Sequence, residues 1–479
     1  MDSNKKFKIP HVFVLLAGVI LFCSILTYIL PSGTYQREKW TYGELTRTVV
    51  IPGTYKKLEK HFSLKGIFIG DNVENKARPI SVLGFLTAIP RGMEQAADII
   101  FFIFIIGGAF GILQRTGTIT AFLQALLNLF SGNNTVLTIV IMIIVATGGS
   151  TLGMGEEFIP LIPVFLIVSD KMGYDRIYGL ALIMLAGDIG FAAATTNPFT
   201  VQIAQGIAEV PLCSGIGFRV IFAACCLTIT LVYVLRYGSK IKKDPSQSFV
   251  AGDAVALPEE SFKTQRLTVS HVGIIFSCIL IFAVILYAVQ KMGWWLNEMS
   301  GGFLFMGIVA ALIARLPLSE TTKAFIKGME DMVVAALVVG FARGIEVVMV
   351  DGQIMDSIIY SVAGVLQNFP KTIAAEGMLV FQSALNFLIP SGSGQAAVTM
   401  PLMAPLSDVI GLTRQTAVFA FTCGDGFSNT IIPTSGVLMA MLTLAKIPYE
   451  KWLRFMLPLF VQLIVLSGLF LAVAVWIKY

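Results

Sequence analysis

Charge is scarce in this chain of 479 residues: Asp, Glu, Lys and Arg make up 13% of it, against 56% hydrophobic residues. A soluble domain carries about 25% charged and about 45–50% apolar residues. Half the usual charge cannot cover a water-exposed surface of this size, and so much apolar sequence is not disordered, so both classes are excluded. Cysteine is sparse as well, six residues in all. That argues against a disulfide-stapled secreted scaffold. Cys23, Cys213, Cys225, Cys226, Cys278 and Cys423 lie in apolar stretches without a C-x-x-C or a Cys/His cluster, as small buried hydrophobes do. Histidine is rarer still: His11, His61 and His271 stand far apart near segment ends. No metal site and no His-based catalysis is expected from them. There is no G-x-x-x-x-G-K-[ST] loop to bind a nucleotide. The net charge of +5 is small and sits in loops, which implies no nucleic acid partner.

What the chain does have is long unbroken apolar runs. Their length points to an all-α polytopic membrane protein with the lipid bilayer as its solvent, not to the short alternating segments of a barrel. Residues 11–30 are long enough to cross a bilayer at about 1.5 Å per residue. Lys5, Lys6 and Lys8 precede them and place the N-terminus in the cytoplasm by the positive-inside rule. Residues 31–80 follow as a polar extracytoplasmic cap, an extended or hairpin structure around Thr48-Val49-Val50-Ile51. Residues 81–238 form a first repeat and 239–268 a charged cytoplasmic linker with Lys240, Lys242, Lys243 and Glu259-Glu260. Two connecting helices occupy 269–316, and a second repeat occupies 317–479.

The repeat is read from pairs in register. Arg91-Gly92-Met93-Glu94 returns as Lys327-Gly328-Met329-Glu330, Ser169-Asp170 as Ser407-Asp408, and Gly187-Asp188 as Gly424-Asp425. Pro198 returns as Pro433 and Pro211 as Pro448, all at spacings of 235–238 residues and in the same order, as in a duplicated unit. The parity of crossings then makes the two units inverted in the membrane, a plan common among secondary transporters. The expected total is about nine crossings plus two re-entrant hairpins, with the C-terminus outside.

Each unit carries two interruptions. A hairpin tip is expected at Gly148–Glu157 and again at Pro390–Gln395, where glycine lets the chain reverse. A broken helix is expected at Thr195–Thr200 and Ser428–Gly436, around Pro198 and Pro433, because proline removes a donor and clashes with the preceding turn. Freed carbonyls and nearby hydroxyls can hold a hard cation, and half-helix N-termini can hold a carboxylate. The candidate substrate and ion ligands are Ser150, Thr151, Glu156, Glu157, Asp188, Thr196, Asn197, Ser391, Ser393, Gln395, Asp425, Ser428, Asn429, Thr430, Thr434 and Ser435. Intramembrane acids are costly, so Glu156, Glu157, Asp188 and Asp425 are read as functional, as ligands or proton carriers, with Asp188 and Asp425 alternatively bracing the broken helices by hydrogen bonds. Arg343 and Glu346, at i and i+3, are read as a structural pair.

Several of these segments resemble YfcC/DcuC-type carriers of the ion transporter superfamily. They are Ile389-Pro390-Ser391-Gly392-Ser393-Gly394-Gln395-Ala396, Gly153-Met154-Gly155-Glu156-Glu157-Phe158 and Thr196-Asn197-Pro198, together with Lys8-Ile9-Pro10-His11 and Leu30-Pro31-Ser32-Gly33-Thr34-Tyr35. The resemblance covers essentially the whole chain. It implies a secondary transporter of the bacterial inner membrane. Through the related AbgT and divalent-anion/sodium symporter groups it implies a homodimer with a static scaffold and an elevator-like transport domain. Symporters of that kind carry Ser-Asn-Thr at their hairpin tips, whereas here it occurs only at Ser428-Asn429-Thr430, on the second broken helix.

The function read from the chain is therefore secondary transport of a small molecule, coupled to Na⁺ or H⁺ or run as exchange, without a resident cofactor. The interrupted motifs hold acids and no Lys or Arg, which favours basic amino acids such as arginine or ornithine. A C4-dicarboxylate or another carboxylate is the alternative. From other classes, a passive channel would need a continuous polar pore, and an intramembrane serine enzyme would need a base that no core histidine supplies.

Overall fold

The computed structural model describes residues 12–42, 45–130, 133–253 and 267–479. Lys5, Lys6, Lys8 and the Glu259-Glu260 pair of the linker lie outside the described residues. Helix α1 (Val12–Ile29) has 18 residues and no charged side chain, enough for about 27 Å. It leads into a cap of strands β1 (Ser32–Thr34), β2 (Arg37–Tyr42), β3 (Leu45–Val50) and β4 (Lys56–Lys60), helix α2 (Leu64–Phe68) and strand β5 (Lys76–Ala77). β2 and β3 form an antiparallel hairpin, and β4 pairs antiparallel with β1 and parallel with β5. The cap is thus β-structured on an otherwise helical protein, in keeping with its β-branched Thr48-Val49-Val50.

The first unit continues with α3 (Val82–Gln95) and α4 (Ala97–Arg115), a rod interrupted only at Ala96. Then come α5 (Thr118–Leu129), α6 (Asn134–Leu152), a 3₁₀ turn at Glu156–Leu161 and α7 (Ile162–Lys171). A second rod follows, α8 (Arg176–Leu180) and α9 (Ala186–Ala192) with a π turn between them, before α10 (Val201–Ile207) and α11 (Ile216–Lys243). Helices α12 (Val269–Lys291) and α13 (Leu296–Ile313) connect to the second unit. That unit comprises α14 (Leu318–Asp351), α15 (Met355–Leu366), α16 (Lys371–Asn386), α17 (Gly392–Ile410), α18 (Arg414–Ser428), α19 (Gly436–Leu444) and α20 (Tyr449–Ile477). Among the described residues eight helices are long and apolar enough to cross a membrane: α1, α4, α6, α11, α12, α13, α14 and α20.

The long rods that open the two units pack against each other antiparallel. A Cβ on Gly92 would sit 2.5 Å from the amide nitrogen of Gly344, and one on Gly328 would run into the carbonyl of Gly107 and lie 3.0 Å from the Cα of Gly108. Residues 92 and 328, like 108 and 344, are 236 apart. One glycine contact is therefore made twice, once from each unit. Only glycine lets two backbones approach this closely. Gly92→Val should lower the melting temperature of the protein in detergent sharply, since overpacking a tight interface costs about 1–3 kcal/mol or more. Gly18→Val, with nothing within 4 Å of its added Cβ, is the matched control and should leave it unchanged.

The helices sort into two packed groups. Helices α1, α3, α4, α12, α13 and α14 form one, with the cap fastened to α15 at its end. There Asp356 accepts from the Tyr35 amide at 2.8 Å and from the Arg37 guanidinium at 2.7 Å. Helices α6 to α11 and α16 to α20 form the other, around a core that includes Tyr178, Phe222, Phe419, Phe421, Phe427 and Trp452. The groups meet chiefly where α19 crosses α14 and where the 3₁₀ turn meets α4.

Candidate substrate site

The first hairpin reverses over a shorter stretch than its glycines suggest. Helix α6 continues through Gly148-Gly149-Ser150-Thr151-Leu152, so the turn itself is Gly153–Gly155. Gly149 serves close packing, because a Cβ there would run into the carbonyl of Gly187 on α9. Gly153 makes the reversal, at φ +69°. The second hairpin turns over Phe387–Ser391, and α17 begins at Gly392.

Several expected ligands turn out to hold the interruptions together. The Ser150 carbonyl accepts from the Thr195 amide at 3.0 Å, and its hydroxyl lies 3.1 Å from that of Thr195. The Thr196 hydroxyl donates to the Thr151 carbonyl, and the Thr151 hydroxyl to the Thr147 carbonyl. Asn197 accepts from the Phe199 amide at 2.8 Å, closing the turn around Pro198. In the second unit Gln395 lies inside α17, fully buried, and its amide donates to the carbonyl and side chain of Gln382 on the opposite arm. Ser428 and Thr430 donate to the carbonyls of Gly424 and Phe427. Asn386 binds the Asp425 carbonyl, Ser428 and Asn429 at 2.7–2.9 Å, tying the hairpin arm to the break at Pro433.

The broken helices are completed in the same way in both units. The Ala194 carbonyl accepts from Arg219 on α11 at 3.3 Å, and the Thr430 carbonyl accepts from Trp452 on α20 at 2.9 Å. Residues 194 and 430 are again 236 apart. A carbonyl released by the break thus finds a donor on the last long helix of its own unit, as a buried backbone group must.

Between the two helix groups lies a cavity of about 360 Å³, within the range of about 300–1,000 Å³ usual for small-molecule sites. Of the residues expected at the site, Glu156, Glu157, Asp188, Ser391, Ser393, Asn429 and Ser435 line it. Ser150, Thr151, Thr196, Asn197, Gln395, Asp425, Ser428, Thr430 and Thr434 are not on its wall. The opposite wall was not read from the sequence at all: Gln95 and Asp98 at the α3–α4 junction, Trp295 before α13, and Val339 and Arg343 on α14. Arg343 pairs with Glu346 as its spacing suggests, but it also faces the cavity. An arginine in the middle of an apolar helix was the available signal for this. Trp295 meets Phe199 edge-on, with ring centroids 4.7 Å apart, and so joins the connecting helices to the first break.

The wall carries one guanidinium, Arg343, and four carboxyl groups, those of Asp98, Glu156, Glu157 and Asp188. Glu157 accepts from the Gly155 amide at 2.8 Å, which fixes its position on the tip. Two helices begin at the cavity. Ser391 caps α17 by accepting from the Gly394 amide at 3.3 Å, and Ser435 caps α19 by accepting from the Leu438 amide at 3.4 Å. Helix N-termini carry a partial positive charge and free amides, which suit an anion.

Behind the α17 N-terminus sits Asp425, with no exposed surface and, among the described residues, no hydrogen-bond partner on either carboxylate oxygen. A Cβ on Gly392 would lie 2.7 Å from the Thr200 methyl and 3.1 Å from Asp425, so both stand behind the tip. Thr200, Thr434 and Asn386 each have a buried side-chain oxygen without a partner among the described residues. Oxygens of this kind suit a hard cation. Among the described residues no cluster of three or more His, Cys, Asp or Glu side chains could hold a metal ion.

Helices long and apolar enough to cross a membrane, broken elements and a polar cavity between two helix groups fit a non-enzymatic carrier, the class to which the family match assigns the chain. The chain belongs to the family described as DcuC, the C4-dicarboxylate anaerobic carrier, whose model matches residues 9–476. It falls in the DcuC/YfcC-like branch of the ion transporter superfamily, whose activity is secondary active transport. It is 32% identical over 475 residues to an Escherichia coli K12 protein named "Putative basic amino acid antiporter YfcC", covering 94% of this chain and 93% of that one. An uncharacterized Haemophilus influenzae protein is 28% identical over 522 residues and 99% of both chains. Among solved structures, the Alcanivorax borkumensis YdaH transporter is 15% identical over 98% of this chain and 99% of its own, at a TM-score of 0.47. The Neisseria gonorrhoeae efflux pump MtrF is 17% identical over 98% and 96%, also at 0.47.

Proposed function

We propose that this carrier moves a small carboxylate across the bacterial inner membrane, of the C4-dicarboxylate type that the family description names. One observation carries the reading: Arg343 and the N-termini of α17 and α19 open on the same cavity. The absence of Lys and Arg from the interrupted motifs favours a cationic substrate only until α14 is folded against them. Its guanidinium then supplies the positive charge that a carboxylate needs, in a geometry suited to two oxygens. The four carboxyl groups on the wall support a second reading, in which the substrate also bears an ammonium group, as an amino acid does.

The transport cycle proposed is ion-coupled, by Na⁺ or H⁺, through Asp425. The chain makes about nine crossings with the hairpins re-entrant from opposite sides, and its N-terminus is cytoplasmic. The group formed by α6 to α11 and α16 to α20 moves against α14 as an elevator within a homodimer. Counterflow in proteoliposomes over a panel of dicarboxylates and amino acids tests the substrate. Stimulated flux with dicarboxylates is expected. Flux with basic amino acids alone would replace this reading by the second, and bilayer conductance without counterflow would overturn carriage altogether.

A further inference from the structure

A second cavity, about 620 Å³ and open to the outside, lies along the last turns of α11, far along the chain from the hairpin tips. Arg236, Lys240 and Lys243 line it at i, i+4 and i+7, and therefore lie on one face of the helix. Among the described residues none of the three has a carboxylate partner. Three described carboxylates of this region are engaged elsewhere. Asp175 accepts from Tyr237, Ser248 and the Tyr178 amide, Asp244 from Ser246 and Gln247, and Asp253 from Arg176 and Lys451.

The floor of the groove has the opposite character. Val232 and Leu235 line it one turn deeper into the apolar body of α11, and Val232 is 41% exposed. Thr135 at the start of α6 and Tyr174 complete the wall. Tyr174 is held in place by Lys242, whose ammonium sits 5.5 Å from its ring centroid. A helix dipole explains basic residues at a C-terminus. It does not explain a groove that joins three cations, without a carboxylate partner among the described residues, to an apolar strip running toward the hydrocarbon.

The geometry points to a binding site for an anionic phospholipid. Its phosphate diester would lie among Arg236, Lys240 and Lys243, and an acyl chain along Val232 and Leu235. Basic side chains at a membrane surface attract anionic headgroups by about 1 kcal/mol each, and an apolar strip beneath them adds a chain contact that free phosphate lacks.

Native mass spectrometry of the delipidated full-length protein, titrated with cardiolipin or with phosphatidylcholine, tests the site. Cardiolipin is expected to bind and phosphatidylcholine to bind weakly. Combining Arg236→Gln, Lys240→Gln and Lys243→Gln should weaken cardiolipin by about 100-fold, while Lys56→Gln with Lys57→Gln on the cap should change nothing. Val232→Asp keeps all three cations and blocks the chain, and should also lose the lipid. Equal affinity in the triple variant, equal binding of both lipids, or full displacement of cardiolipin by inorganic phosphate with no effect of Val232→Asp would each overturn the proposal.

Discussion

Replacing Arg343 by Gln is expected to abolish dicarboxylate counterflow, with substrate affinity falling roughly 30- to 5,000-fold. Losing one partner of a buried charge-assisted contact costs about 2–5 kcal/mol. The guanidinium stands on α14, beside Ala342 and across the cavity from the α17 N-terminus. Its ion pair with Glu346 holds it in place and leaves further donors for a ligand. Arg343→Lys keeps the charge but not the planar fork, so it should recover part of the affinity. Equilibrium binding and counterflow on the same preparations separate this from misfolding. Full dicarboxylate counterflow in the Gln variant would remove Arg343 from the site. If instead the substrate is recognised through an ammonium group, the same variant should transport it as well as before or better, since a like charge has been removed from the wall.

Asp425→Asn is expected to uncouple transport without unfolding the protein. A buried carboxylate with no partner is tolerated only if it is protonated or has a cation beside it. The side chain has no donor among the described residues, and its setting behind the α17 N-terminus with Thr200 places it where a hairpin tip would feel its charge. Asparagine has nearly the same shape and nothing to neutralise. Substrate affinity should then lose its dependence on the coupling ion, a change of about 5- to 150-fold for a typical coupling free energy. Ion-independent exchange should persist, and the melting temperature should hold or rise. A lowered melting temperature with ion dependence intact would make Asp425 a brace of the broken helix and nothing more. Asp188→Asn provides the contrast: Asp188 lies on the cavity wall, so its loss should alter substrate affinity directly.

Much of this site was legible before folding because its signals are local. The breaks at Pro198 and Pro433 follow from what proline does to a helix wherever it stands. Glu156, Glu157 and Asp188 stand out because a carboxyl group in an apolar run needs a reason. Polar residues beside a break are less informative, since the break needs donors and acceptors of its own. Ser150, Thr196 and Gln395 are used up in this way, and nothing in their spacing distinguishes them from Ser391 and Ser393, which reach the cavity.

By itself the sequence identified a multi-spanning helical membrane protein whose motifs recur in pairs. The apolar fraction admits no other solvent, and paired motifs at a constant spacing need no coordinates to be seen. The family likewise rests on the order of residues along the whole chain. Only the tertiary structure decided what lines the cavity. The cavity takes one wall from the interrupted motifs and the other from Asp98, Trp295 and Arg343, residues far from them in the chain. The sign of charge facing a ligand is a sum over neighbours in space, and α14 brings its single guanidinium to the acids only after two glycine-lined rods have closed upon each other.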